Sequence, residues 1–305
     1  MRASSGAGGL LAVHAHPDDE TLATGALLAA FAAAGRPVTV VTATRGERGE
    51  VIGDALAHLQ GDPRGLAAHR ETELAAALAA LGVADHAFLD ALPGWRGGRL
   101  EDSGMVWADE GRRAVAAPDA HAAFSTHDLD ALAAPLAALI ADRRPDVVVT
   151  YEPAGGYGHP DHVRAHEVTH RALALTPHTV PVVLWAAQGR ARAAAARRAL
   201  RTLVAAGAVP GDSPDDDAFA SLVVDDEQIA LEVDVRPVRT AVLAALRAHA
   251  TQVQHVTALD DEPDLAGAYA LSLGLAEPLL PVEQYRVAGG DLTAVAWPAQ
   301  VAPVA

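Results

Sequence analysis

Asp146-Val-Val-Val-Thr-Tyr151 is a continuous β-branched run, and a strand without polar alternation is one buried on both faces. Such a strand needs helices above and below it, which confines the chain to architectures with a mostly parallel sheet. The remaining segments supply the other parts. Residues 10–14 form a short apolar run, and 38–44, 86–89 and 181–186 read as further strands. Between them, stretches dense in helix formers predict helices over 21–34, 66–81, 129–144 and 162–175. Strands alternating with helices imply right-handed βαβ units and a doubly wound α/β fold. After about residue 189 the pattern changes. An Ala- and Arg-rich helix to about 206 precedes an acidic loop at 211–217, strands at 222–224 and 229–235, and a helix from 237 to about 254. We therefore expect a larger domain over 1–188 and a smaller C-terminal α+β lobe over 189–305 packed on it.

Two absent residue types narrow the chemistry. The 305 residues contain no cysteine, and all 23 basic residues are arginine. Disulfides, thiolate nucleophiles, cysteine zinc sites and iron–sulfur clusters are excluded, as are Schiff-base lysines and a phosphate loop with its lysine. Any metal must be held by His, Asp or Glu. The formal net charge of −16 argues against nucleic acid or an anionic membrane as partner and reads as a solubility feature. The apolar run at 10–13 is too short for a signal-peptide core, and the Ala-rich 26–34 falls short of the ~20 residues of a membrane span. A soluble, cytoplasmic protein is the expectation.

His16-Pro-Asp18-Asp19-Glu20 closes the first strand and opens the first helix. In an open α/β sheet, ligands bind outside the carboxyl ends of the strands, where strand order reverses. Adjacent carboxylates there are costly unless a cation offsets them. A metal on His16 and Asp19 would do so, leaving Asp18 beside it as a general base. Helix capping accounts for one carboxylate, but not for the whole motif. A second His-Pro-Asp, in Tyr157-Gly-His159-Pro-Asp161-His162, follows the strongest strand and so lies at the same sheet edge. His162 could complete a His/Asp/His set with a fourth position open to water, the arrangement of a catalytic zinc; Fe2+ suits the same donors. His166 and His170 read as a helix face, and His14 as a core or supporting residue. No Gly-x-Gly-x-x-Gly follows the first strand, which weighs against a nucleotide-binding module without enzymatic activity.

These motifs resemble the zinc-dependent N-acetylglucosaminyl deacetylases of the LmbE/PIG-L type, through Ala15-His-Pro-Asp-Asp-Glu20 and Gly158-His-Pro-Asp-His162. Segments at 46–54, 69–74, 102–105, 149–157 and 247–253 further resemble the branch that acts on N-acetylglucosaminyl-inositol in mycothiol biosynthesis. The resemblance implies a Rossmann-like fold, one zinc on His16, Asp19 and His162, Asp18 as general base, and hydrolysis of an acetamide that releases acetate. It implies that Tyr157 and His159 assist at the acetyl carbonyl and the leaving amine, with Asp161 supporting His159 so that it stays protonated. Arg70, Asp102, Glu50 and Met105 would meet the sugar–inositol substrate. A sibling branch, the mycothiol S-conjugate amidases, typically carries a lysine where this chain has Thr24. The stretch 93–100 and the segment 211–235 depart from the pattern.

Overall fold

The structure is a computed structural model that describes residues 8–108, 113–116, 123–213 and 220–304. His121 and part of the acidic loop expected at 211–217 lie outside the described residues. The first half runs β1 (Leu10–His14), α1 (Asp19–Ala33), β2 (Val38–Thr42), α2 (Pro63–Leu81), β3 (Asp85–Phe88), β4 (Met105–Ala108) and β5 (Arg113–Ala116). Next come α3 (Leu129–Arg143), β6 (Val147–Thr150), the single turn α4 (Gly155–Gly158), α5 (Pro160–Leu175), β7 (Val182–Gly189) and α6 (Arg190–Ala205). The chain ends with β8 (Val223–Val224), β9 (Leu231–Asp234), α7 (Arg239–Ala248), β10 (Gln254–Ala258), β11 (Gly267–Ala270), β12 (Ala276–Leu279), β13 (Val282–Gly290) and β14 (Val301–Pro303).

The main sheet has nine strands in the order β14-β9-β13-β7-β6-β1-β2-β3, with β8 paired to β7. β1 pairs in parallel with both β2 and β6, so strand order reverses between β1 and β6. Alternate residues serve opposite faces. Leu10, Ala12, Val147 and Val149 join a core with α1, α2 and α7, while Leu11, Val13 and Val148 join one with α3 and α5. Both faces are covered, as the apolar strands require. Among the described residues, no helix is long and apolar enough to cross a membrane.

Two boundaries differ from expectation for local reasons. α2 begins before residue 66 because Asp62 accepts from the Gly65 N–H and Pro63 sits in the first turn. α7 stops at Ala248 instead of running to about 254, and this frees His249, Thr251 and Gln252 for other bonds. The expected boundary at 188/189 does not coincide with a break in the sheet. Strands β9, β13 and β14 lie in the main sheet, and Leu231, Val233, Tyr285 and Val301 share a core with Leu10 and Phe31. The three-stranded sheet β10-β11-β12 is separate.

β13 also reaches into α1. The Glu283 carboxylate accepts from the backbone N–H groups of Ala26 (2.6 Å) and Leu27 (2.9 Å), and from the Tyr285 hydroxyl (2.8 Å). Burial pushes the Glu283 carboxyl up to about 7, with those hydrogen bonds opposing it. The folded chain therefore holds this proton more tightly than the unfolded chain does. The associated stability is complete below pH ~4.5 and is lost as pH rises to ~7. We expect the gap in unfolding free energy between wild type and Glu283→Gln to change by about 2 kcal/mol between pH 4.5 and 8, less than the full shift because the side chain keeps some water contact. Denaturant titrations at the two pH values measure it. An unchanged gap would remove Glu283 as the titrating group.

Candidate metal centre and active site

Both His-Pro-Asp motifs emerge at the carboxyl ends of β1 and β6, the adjacent strands where the order reverses. The first forms a strained turn. Asp18 has φ 101°, a region that non-glycine residues occupy only when their surroundings hold them there. Three contacts do so. The Arg70 guanidinium donates to the carbonyls of Gly46 (2.7 Å) and Pro17 and lies 3.3 Å from Asp18 Oδ1. The Asp18 N–H donates to Glu20 Oε2 at 2.9 Å. The Ala15 N–H donates to the Tyr151 hydroxyl at 2.9 Å. Gly46 (φ +63°) suits glycine, which adopts this left-handed conformation without strain, and a Cβ there would displace the Arg70 guanidinium, whose Nη1 would lie 2.0 Å away.

The second motif is seated by its glycines. A Cβ on Gly155 (φ +70°) would stand 2.9 Å from His162 Cβ, so only glycine lets this loop lie against the start of α5. Its carbonyl is 3.2 Å from His162 Nδ1, which fixes Nδ1–H as the donor and leaves the Nε2 lone pair free. Tyr151 stacks on the same imidazole at 4.2 Å. His162 Nε2 is buried, has no hydrogen-bond partner, and lies 3.3 Å from Asp19 Oδ1.

His16 mirrors this arrangement. Its Nε2 faces Asp161 Oδ2 at 3.2 Å and Asp102 Oδ1 at 3.6 Å, while its Nδ1 is 3.3 Å from Asp19 Oδ2. The Asp19 carboxylate thus lies between two imidazole nitrogens whose opposite nitrogens are already engaged. Ligand atoms at ~2.0–2.1 Å from a tetrahedral zinc are separated by ~3.3 Å, so the spacing and the orphaned Nε2 both fit a divalent metal. The sets His16/His159/His162 and His16/Asp102/Asp161 each bring candidate ligand atoms within 4.8 Å. A third combination, His16 Nδ1, Asp19 and the unpartnered His162 Nε2, leaves Asp161 and Asp102 to back His16 through Nε2.

Charge follows the same pattern. Burial opposes the ionisation of Asp19, but His162 and His16 hold it well below the ordinary value. Burial opposes charge on His16, but Asp102, Asp161 and Asp19 hold its pKa well above the usual value. Burial pushes Asp18 up to about 6, against the pull of Arg70.

Asp161 and His159 differ from expectation. The Asp161 carboxylate serves His16 and the Ser103 N–H (2.9 Å) and hydroxyl, and it is the Asp161 backbone N–H that meets His159 Nδ1, at 3.1 Å. His159 acts as the N-cap of α5. Burial, with His16 and His162 alongside, pushes it down to about 2, so no carboxylate holds it protonated. With Nδ1 accepting, the neutral ring carries its proton on Nε2. The Tyr157 ring lies edge-on to His162 at 5.1 Å and to His159 at 6.0 Å, with 38% of the residue exposed.

The other expected substrate residues scatter. Arg70 is buried among the turn contacts given above. Asp102 is buried beside His16 and accepts from the Gly104 N–H at 2.7 Å. The Glu50 side chain is exposed, and its carbonyl accepts from Gln252 Nε2 at 2.9 Å. Met105 is half-buried at the start of β4. Glu47, which sequence reasoning passed over inside Gly46-Glu-Arg, is buried with Oε2 unpartnered. Tyr151 was legible only as the end of a strand. His14 is buried against Thr24 at 3.0 Å, as a core or supporting residue, and His166 and His170 on the α5 face bond Tyr151 O and Trp185.

A family profile described as GlcNAc-PI de-N-acetylase (PIG-L) matches residues 11–173. The chain is similar to the 1D-myo-inositol 2-acetamido-2-deoxy-alpha-D-glucopyranoside deacetylase of Kineococcus radiotolerans, at 45% identity over 93% of this chain and 80% of that one. The 1D-myo-inositol 2-acetamido-2-deoxy-alpha-D-glucopyranoside deacetylase 1 of Saccharopolyspora erythraea is also 45% identical, over 92% of this chain and 90% of that one. Among solved structures, the 4-carboxy-2-hydroxymuconate hydratase from Pseudomonas putida KT2440 superposes with a TM-score of 0.50 at 16% identity, over 93% and 98% of the two chains. That likeness concerns the fold alone.

Proposed function

The chain belongs to the PIG-L de-N-acetylase family, and from that premise we propose that it removes the acetyl group of 1D-myo-inositol 2-acetamido-2-deoxy-alpha-D-glucopyranoside, using zinc. The observation that carries the hydrolytic reading is the Asp19 carboxylate 3.3 Å from His16 Nδ1 and 3.3 Å from the buried, unpartnered His162 Nε2. The names of the relatives support the substrate.

His16, Asp19 and His162 would hold the metal, and two nitrogens with one carboxylate leave an open position, as in catalytic zinc sites. When bound, the ion supplies Lewis-acid stabilisation and makes water more acidic. Asp18, one residue from Asp19 and held by Arg70, takes the proton from the attacking water and delivers it to the leaving nitrogen. The water oxygen joins the acetyl carbon, the C–N bond breaks, and acetate and the free amine depart. His159 offers its Nε2–H, and Tyr157 its hydroxyl, to the carbonyl oxygen where negative charge develops. Asp161 orients His16 through Nε2. Arg70, Asp102, Glu50 and Met105 remain our candidates for substrate recognition, with Arg70 also bracing Asp18.

The test is acetate release from the inositol glycoside by the zinc-loaded protein, beside a bimane S-conjugate of mycothiol. A higher kcat/KM on the glycoside supports the proposal, and a preference for the conjugate would reassign the chain to the amidase branch. Tyr157→Phe should lower kcat by ~10²–10³-fold with zinc content unchanged, the usual cost of one donor to a developing oxyanion. Wild-type kcat in that variant would remove Tyr157 from the chemistry.

A further inference from the structure

His249 comes from the segment just past α7, 229 residues from Glu20 in sequence, and its Nε2 lies 2.7 Å from Glu20 Oε1. Neither side chain reaches solvent. The two oxygens of Glu20 are divided between different tasks. Oε1 takes His249 and the Thr21 hydroxyl, and Oε2 takes the backbone N–H of Asp18.

We propose that His249 is a positioning residue for Asp18, acting through the Glu20 carboxylate. The proposal rests on the reading that Asp18 carries the proton. Asp18 occupies a left-handed conformation (φ 101°) that must be held from outside, and Glu20 Oε2 is the acceptor that fixes its peptide. Without the imidazole, Oε1 keeps only the Thr21 hydroxyl, and the buried carboxylate can turn away from the Asp18 N–H. His249 is itself held from behind. The Thr251 N–H and hydroxyl donate to Glu73 at 2.8 and 2.6 Å, the Ile52 N–H donates to the Thr251 carbonyl at 3.0 Å, and Gln252 Nε2 donates to the Glu50 carbonyl. The segment 249–252 thereby ties the turn of Asp18 to α2 and to the loop at 46–52. Sequence comparison singled out 247–253 without giving any of its residues a task.

The experiment compares His249→Leu, which fills the volume without a donor, with His249→Gln, which keeps an N–H donor for Glu20. Both are assayed as zinc-loaded full chains on the inositol glycoside. The Leu variant should lose ~10²-fold in kcat, the scale of a small misplacement of a reacting group, with KM and zinc per chain within about threefold of wild type. The Gln variant should recover to within about tenfold of wild type. Should the Leu chain not fold, His249→Met takes its place in the comparison. Wild-type kcat without the donor, a loss confined to KM, or a folded, zinc-replete Gln chain no better than Leu overturns the inference. A wild-type protein that releases no acetate overturns the functional reading instead, so the two failures are distinguishable.

Discussion

Asp18→Asn should lower kcat and kcat/KM together, by ~10³–10⁴-fold, while KM and zinc content stay near wild type. General acid–base groups contribute ~10²–10⁴-fold, and Asp18 stands at the upper end because it handles the proton in both halves of the reaction. Equal falls in the two parameters mark an interaction made only in the transition state. The substitution is well controlled. Asn tolerates the left-handed backbone region better than most residues, so the turn at φ 101° is preserved. The Glu20 acceptor meets the backbone N–H, not the side chain. The zinc candidates His16, Asp19 and His162 are untouched. Steady-state kinetics with metal analysis on the same preparation decides the matter. A variant within tenfold of wild type would show that the proton travels elsewhere.

Removal of the metal should abolish acetate release and also lower stability, and zinc should restore both. Asp19, Asp102 and Asp161 converge on His16 within a buried space, and Asp19 also meets His162. Without a metal cation, these carboxylates depend on the charged His16 imidazole to offset them. A ligand at 1,000 times its Kd adds about 4 kcal/mol of stability, which should appear as a lower thermal midpoint in the chelated chain. His162→Ala should reproduce the loss, because its Nε2 is the orphaned lone pair. Recovery with Zn2+, or with Fe2+ under anaerobic conditions, fits two nitrogens and a carboxylate. Recovery with Mg2+ alone would contradict the nitrogen donors. Full activity after exhaustive chelation would defeat the metal assignment.

The sheet was legible because its strands are buried on both faces and so read as apolar runs. Val147–Thr150 and Leu10–His14 stand almost where the residues place them. The second half was harder. β10 has partly buried and exposed residues, so it carries no continuous apolar signal, and β9 and β13 join the main sheet from far along the chain. Position along the sequence does not report such pairing. The candidate ligands were legible because His-Pro-Asp is a dense motif at a strand end. Their partners were less so. Which carboxylate backs which imidazole depends on side-chain direction, so Asp161 was assigned to His159 although it meets His16. Glu20 lay inside the motif, but its task appears only once His249 is seen beside it.

The pairing of His249 with Glu20 also has a consequence in time. During synthesis the chain emerges from its amino end at ~5–20 residues per second, so the 229 residues separating the two take about 10–50 s to appear. The strand-end turn with the three first-motif carboxylates, Asp18, Asp19 and Glu20, is made before its distant brace exists. The nascent protein therefore passes through a period in which its acidic cluster is present but not yet secured, and the reaction centre becomes whole only once His249 has appeared.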